Sequence, residues 1–198
     1  MVVKSKKAVV EKLTEKSPPA SMIDKSKKAL IMKDMYGMPP LSVGLKFQTP
    51  IPSVMCILNA CPKVTQVFDD EFRLPLHIAM EHRAPNDPIV QALVDIYSKA
   101  TRTLDQWKRT PLHSGMEFRG QLPAVKNVLE KYPKAAEIAD TNKRYPLHLG
   151  MRFEANAEAI KLVLEANKKA VEKKDRFGHT PMHEALSRKA PLDCVKIV

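Results

Sequence analysis

The side chains in this sequence best suited to chemistry are six histidines, three cysteines and a recurring aspartate. His179 and His183 stand four residues apart, a spacing that places two imidazoles on one helix face and suits a divalent metal. His183 also belongs to a series, His77, His113, His148 and His183, whose even spacing marks a structural position. A structural role therefore outweighs a ligand role, and no metal is expected. The aspartates Asp34, Asp69, Asp105, Asp140 and Asp175 recur in the same way, which marks loop formers and not an acid–base pair. Cys56, Cys61 and Cys194 are odd in number and lack a C-x-x-C spacing, so they supply no zinc framework and suit a reducing compartment. Cys61 has no activating neighbour and sits near an apolar stretch, which predicts a buried, inert thiol. There is no Gly-rich phosphate loop, no G-x-S-x-G and no H-E-x-x-H. The chain is read as non-enzymatic and without a cofactor.

The elements that carry these residues repeat. Pro-Leu or Pro-Met occurs at Pro40, Pro75, Pro111, Pro146 and Pro181, at steps of 35, 36, 35 and 35 residues. Six residues before each proline is the aspartate, and two after it is Ser42, His77, His113, His148 or His183. Four after it the side chain is tiny (Gly44, Ala79, Gly115, Gly150, Ala185), and the next residue is large and apolar (Leu45, Met80, Met116, Met151, Leu186). A fixed period of this length means stacked supersecondary units.

Proline fits the first turn of a helix, where its missing N–H costs nothing. Thr110 and Thr180 precede it as caps. Leu112, Met116 and, nearby, Phe118 are expected to make one helical face. A second apolar cluster follows, Val54-Ile57-Leu58, Val90-Leu93-Val94, Val125-Val128-Leu129 and Ile160-Val163-Leu164, again with helical spacing. Each unit thus reads as helix, turn, helix and polar loop. About five large apolar side chains per unit bring roughly 1.5–3 kcal/mol each, while ordering some 35 residues costs roughly 1–2 kcal/mol per residue. One unit alone loses that contest, so neighbours must cover one another.

The string Asp175-Arg-Phe-Gly178-His-Thr180-Pro181-Met182-His183-Glu-Ala185 closely resembles the ankyrin-repeat signature, with looser copies from Asp105 to Gly115 and from Asp140 to Gly150. The resemblance spans residues 34–198. It implies an all-α, ankyrin-type helix-turn-helix solenoid, L-shaped in section, with a concave binding face. It also implies that Asp and Gly shape a hairpin-like loop and that the histidine makes structural hydrogen bonds. The period is longer than the family's usual 33. The loop glycine, present as Gly37 and Gly178, is replaced by Phe72, Lys108 and Lys143. Bulky residues are strained at positive φ, so these three loops are expected to differ in shape. The glycine usual after the first helix is missing throughout.

The domain reading follows. Residues 1–16 form a flexible basic arm, with Lys4, Lys6, Lys7 and Lys12. Residues 17–33 form an N-terminal capping half repeat, because Lys27-Lys28-Ala29-Leu30 parallels Lys168-Lys169-Ala170-Val171. Repeats then occupy 34–68, 69–104, 105–139 and 140–174, with a partial fifth at 175–198. That fifth unit stops within its second helix, which fits a fragment or a partner covering that end. No apolar run reaches the roughly 20 residues of a membrane span. The N-terminus resembles neither a secretory nor a mitochondrial leader. The chain is expected inside the cell, first in the cytoplasm, with nucleus or organelle as alternatives.

Net charge is +11, and the first 33 residues hold nine lysines against three acids. That excess fits an acidic partner or a solubilising tail. The loop tips carry Arg73, Arg109, Arg144 and His179 two residues before the proline, Lys108 and Lys143 three before, and Trp107 and Phe177 four before. Stacked, they predict a basic, aromatic ridge for partner binding, with loop solvation as the plainer role for the arginines. The sequence therefore predicts a protein-interaction scaffold within a multi-subunit assembly, docking an acidic protein surface. The alternatives are a peripheral ribonucleoprotein subunit touching nucleic acid and, more weakly, an arm on anionic lipid.

Overall fold

The computed structural model describes residues 27–82, 88–119 and 121–188. The basic arm with Lys4, Lys6, Lys7 and Lys12, most of the capping half repeat, Cys194 and the second helix of the fifth unit lie outside the described residues. Within them the chain is all-helical, with no strand. The helices are α1 (Pro40–Lys46), α2 (Ile51–Ala60), α3 (Pro75–His82), α4 (Pro88–Ile96), α5 (Pro111–Glu117), α6 (Leu122–Lys131), α7 (Pro146–Arg152), α8 (Ala157–Ala166) and α9 (Pro181–Ser187). A short 3-10 turn follows each second helix, at Pro62–Gln66, Ser98–Arg102, Pro133–Glu137 and Lys168–Glu172. Among the described residues no helix is long and apolar enough to cross a membrane.

The recurring proline opens every first helix, as expected. Thr110 and Thr180 cap α5 and α9 together with His113 and His183, each side chain serving the other's backbone N–H. The helices form two rows: α1, α3, α5, α7 and α9 pack in succession, and α2, α4, α6 and α8 pack in succession beside them. The core runs between the rows. Leu45, Met80, Met116 and Met151 are buried, as are Val54, Leu58, Val90, Leu93, Val94, Val125, Val128, Leu129, Ile160 and Val163. Leu186, the fifth copy of the methionine position, is 64% exposed.

At two of the five units the tiny residue after the proline has a definite occupant from the unit before. A Cβ on Gly115 would collide with the Met80 methyl, and one on Gly150 with the Met116 methyl. Met80 and Met116 are therefore each seated in the glycine notch of the next unit, and side-chain size at that notch sets how closely the inner helices approach.

Two expectations need correction. Phe118 is 43% exposed, because α5 ends at Glu117 and Phe118 turns away as its C-cap. The loops at Phe72, Lys108 and Lys143 do not change shape to escape strain. Their φ values are 58°, 59° and 58°, matching the left-handed Gly37 and Gly178 in the sister loops. The position after the first helix behaves alike, with Gln48, Arg119 and Glu154 at 55°, 71° and 53°. Bonding around each loop outweighs the left-handed penalty, which is of the order of 1–2 kcal/mol.

Candidate interaction surface

The loop before each first helix is built around its aspartate. One carboxylate oxygen accepts backbone N–H groups two and four residues on: from Glu71 and Arg73 at 3.0 and 2.8 Å for Asp69, and from Trp107 and Arg109 at 2.9 and 2.8 Å for Asp105. Asp34, Asp140 and Asp175 do the same. The aspartate's own N–H donates across the loop to the carbonyl four residues on, for example Asp105 to Arg109 at 2.9 Å. The aspartates are loop formers, with Asp69, Asp105, Asp140 and Asp175 buried.

The arginines two residues before the proline close this loop and do not face outward. Arg73, Arg109 and Arg144 each donate Nε to the second aspartate oxygen, at 2.9, 2.9 and 3.0 Å. Their side chains are only 14–20% exposed. Arg73 and Arg109 reach on to Glu81 and Glu117 at the ends of their own first helices, at 3.4 and 2.7 Å. Burial raises the Glu81 carboxyl above its usual range, with Arg73 partly offsetting it. The ridge read from spacing thus loses its three arginines to internal latches. Lys108, Lys143, Trp107, Phe177 and His179 remain exposed on the tips, joined by Tyr36 and Phe72. The Arg109 guanidinium covers one face of Trp107, 4.6 Å from its centre, and Arg176 covers Phe177 at 5.3 Å. Backbone bonds tie the tips in register, Gln106 N to Glu71 O, Thr141 N to Trp107 O and Arg176 N to Asn142 O, at 2.9–3.0 Å.

The histidines join units. His77, His113 and His148 are buried at the third position of α3, α5 and α7. Each accepts at Nδ1 the backbone N–H three residues earlier, from Leu74, Thr110 and Tyr145 at 3.1–3.2 Å. Each Nε2 meets a carbonyl of the next unit's loop, Arg109, Arg144 or His179, at 3.3 Å. Since an N–H can only donate, Nδ1 is the acceptor and Nε2 carries the proton. This geometry needs a neutral ring, and burial lowers His77 and His113 to about 4 and also lowers His148. His183 keeps the local Thr180 bonds, while its side chain is exposed.

One basic feature escaped the sequence reading. Lys28, Lys63, Lys99, Lys134 and Lys169 share a register six residues before the aspartates, and the last four are the second residue of each 3-10 turn. All five are exposed, and none forms an ion pair among the described residues. Lys28 and Lys63 line one surface depression, so successive members adjoin. With packed helices roughly 8–10 Å apart, the column extends over roughly 40 Å. The signal was in the sequence, in the parallel already drawn between Lys28 and Lys169. Exposed phenylalanines also stand seven residues after Pro40, Pro111 and Pro146, at Phe47, Phe118 and Phe153.

Cys56 is exposed and Cys61 buried, both as free thiols. Compared with known proteins, the chain matches no family model and no curated relative.

Proposed function

We propose that the chain is a non-catalytic scaffold, a subunit of a larger assembly that docks on an acidic protein surface, and that its units are of the ankyrin type. The observation that carries the docking reading is the lysine column. Five exposed lysines in register, none in an ion pair among the described residues, form a long basic row. Such a stripe raises encounter rates with an acidic surface and favours it over neutral ones. Lys108 and Lys143 add charge at the tips. Supporting the non-catalytic reading, the three buried histidines and the loop aspartates serve to hold backbone. The buried histidines bond backbone at both nitrogens, and the loop aspartates hold backbone N–H groups. The ankyrin reading is supported by the aspartate loop, the Thr-Pro opening of α5 and α9, and the histidine bridge.

The test is charge reversal on the column. Lys63, Lys99, Lys134 and Lys169 are replaced by Glu in the full chain, and co-purification of the endogenous partner is measured alongside far-UV circular dichroism. Helicity should be unchanged and capture lost. Undiminished capture would remove the lysine column from the interface. The arginines are unsuitable for this test, because reversing Arg109 or Arg144 breaks the loop latch as well as the charge.

Nucleic acid is the second reading, favoured by exposed aromatic tips on which bases could stack. Against it, guanidinium groups already cover faces of Trp107 and Phe177. Filter binding over a salt series separates the two, since a phosphate-bound column would retain RNA at low salt and release it steeply as salt rises.

A further inference from the structure

The fifth loop departs from the latch. In three units the residue four after the aspartate is arginine, and its Nε occupies the second carboxylate oxygen. In the loop at 175–179 that residue is His179. The backbone is otherwise the same: Asp175 Oδ1 accepts from Phe177 N and His179 N at 2.8 and 2.9 Å, and Asp175 N donates to His179 O at 2.8 Å. Asp175 Oδ2, however, has no hydrogen-bond partner among the described residues, although the side chain is only 1% exposed. The imidazole is shorter than the arginine side chain, and its Nδ1 stops 3.9 Å from that oxygen. A buried carboxylate oxygen without a donor is costly, and native structures rarely leave one so.

The same Nδ1 lies 3.9 Å from Oε1 of Glu184, which projects from α9 and is 4% exposed. Asp175 Oδ2, the His179 ring nitrogen and the Glu184 oxygen all lie within 4.8 Å of one another. Ligands about 2.0–2.2 Å from a tetrahedral zinc are separated by roughly 3.3–3.6 Å, so modest rotation of these side chains closes the set. His179 is half exposed and on a loop tip, which leaves room for that rotation and for a water as fourth ligand. One imidazole nitrogen with carboxylate oxygens suits zinc and its first-row neighbours, whereas calcium and magnesium favour oxygen alone.

Arg152 bears on the charge. Its Nη1 donates to Glu184 Oε1 and Oε2 at 3.2 and 3.0 Å. With Oε1 given to a cation, the Oε2 contact still holds the carboxylate in place, the orienting role that outer-shell partners play at metal sites. Arg188 lines the same depression, so two guanidinium groups face two carboxylates, and the ion is held by its ligands rather than by a net charge.

We propose that Asp175, His179 and Glu184 bind a zinc ion, which takes in this loop the place that arginine takes in the three before it. The ion would clamp the loop to α9. This inference is independent of the docking reading.

The experiment uses the full chain stripped of metal. Zinc titration by calorimetry should show one equivalent bound, cobalt should give the intense visible absorption of a tetrahedral site, and zinc should raise the thermal midpoint. His179→Arg restores the latch seen at Arg73, Arg109 and Arg144, so it should fold. It should also lose both the one-equivalent binding and the zinc-dependent midpoint shift. His179→Gln, which keeps the size and loses the ring nitrogen, should behave alike and serves if the arginine variant is misfolded by circular dichroism. Absence of zinc uptake by the unmodified chain overturns the proposal, and so does uptake of equal affinity and stoichiometry by the folded variants.

Discussion

Acidification should loosen the joints between units before it alters anything else in the stack. His77 and His113 are held at about 4, against an ordinary 6.5, chiefly because burial penalises the imidazolium, while Asp105 and Asp140 pull the other way. A base with a lowered folded pKa takes up its proton more readily in the unfolded chain. The stability it contributes is complete above pH 6.5 and is lost as pH falls from 6.5 to about 4. At about 1.4 kcal/mol per pH unit within that window, moving from pH 7 to pH 5 costs about 2 kcal/mol for each ring. For both rings the loss is about 4 kcal/mol, a large share of a typical stability of about 5–15 kcal/mol. His148 shifts in the same direction, whereas Glu81, raised by burial, gains stability as pH falls. The clean measurement is therefore a difference. Urea unfolding of the unmodified chain and of His113→Gln, followed by far-UV circular dichroism at pH 7 and pH 5, isolates one ring. The variant should be less stable at pH 7, and the gap should narrow by about 2 kcal/mol at pH 5. A gap that stays constant, or an NMR titration placing the His113 ring near its ordinary value, would refute the reasoning.

Three substitutions test the loops and the core. Asp105→Ala removes the acceptor for two backbone N–H groups and the partner of Arg109, and should lower unfolding free energy by about 3 kcal/mol in denaturant titration. Lys143→Gly relieves a left-handed residue and should raise stability by about 1 kcal/mol in the same assay, with helicity unchanged. Met116→Ala empties the seat against Gly150 and should cost about 2–5 kcal/mol, read as a fall in the thermal midpoint.

The parts of the fold legible in the sequence are those governed by period and by residue type. Proline at the first helical position, the aspartate six residues earlier and the apolar clusters of the second helices follow from spacing alone, and they stand where spacing put them. What spacing could not reveal is the direction in which a long side chain turns. Arg73, Arg109 and Arg144 fold back on aspartates four residues away, and that pairing competes with solvent in a way that only the loop geometry decides. Phe118 was misplaced because α5 is one residue shorter than its apolar pattern. Phe72, Lys108 and Lys143 show that local strain is a weak guide when a loop is over-determined by its own bonds. The lysine column was missed for a different reason: at +11 net charge, single lysines carry little signal until their register is checked across all units.

The histidine bridges have a direction. Each ring is fixed by the backbone of its own helix and turns its Nε2 proton toward the loop of the unit that follows, with His148 sharing it with Lys173 O at the end of its own unit, at 3.1 Å. Three of the four joints thus have a giving side and a receiving side, whereas at the first Ser42 stands at the histidine position and its buried Oγ has no partner among the described residues. Detaching a downstream unit takes an acceptor from a histidine and bares its ring, as at the exposed His183, while the first joint, at Ser42, has no such bridge to break. The two ends of the stack therefore do not open equally. Amide exchange should spread asymmetrically along the chain, and the array behaves less like a column of equivalent bricks than like a zip with one preferred direction of opening.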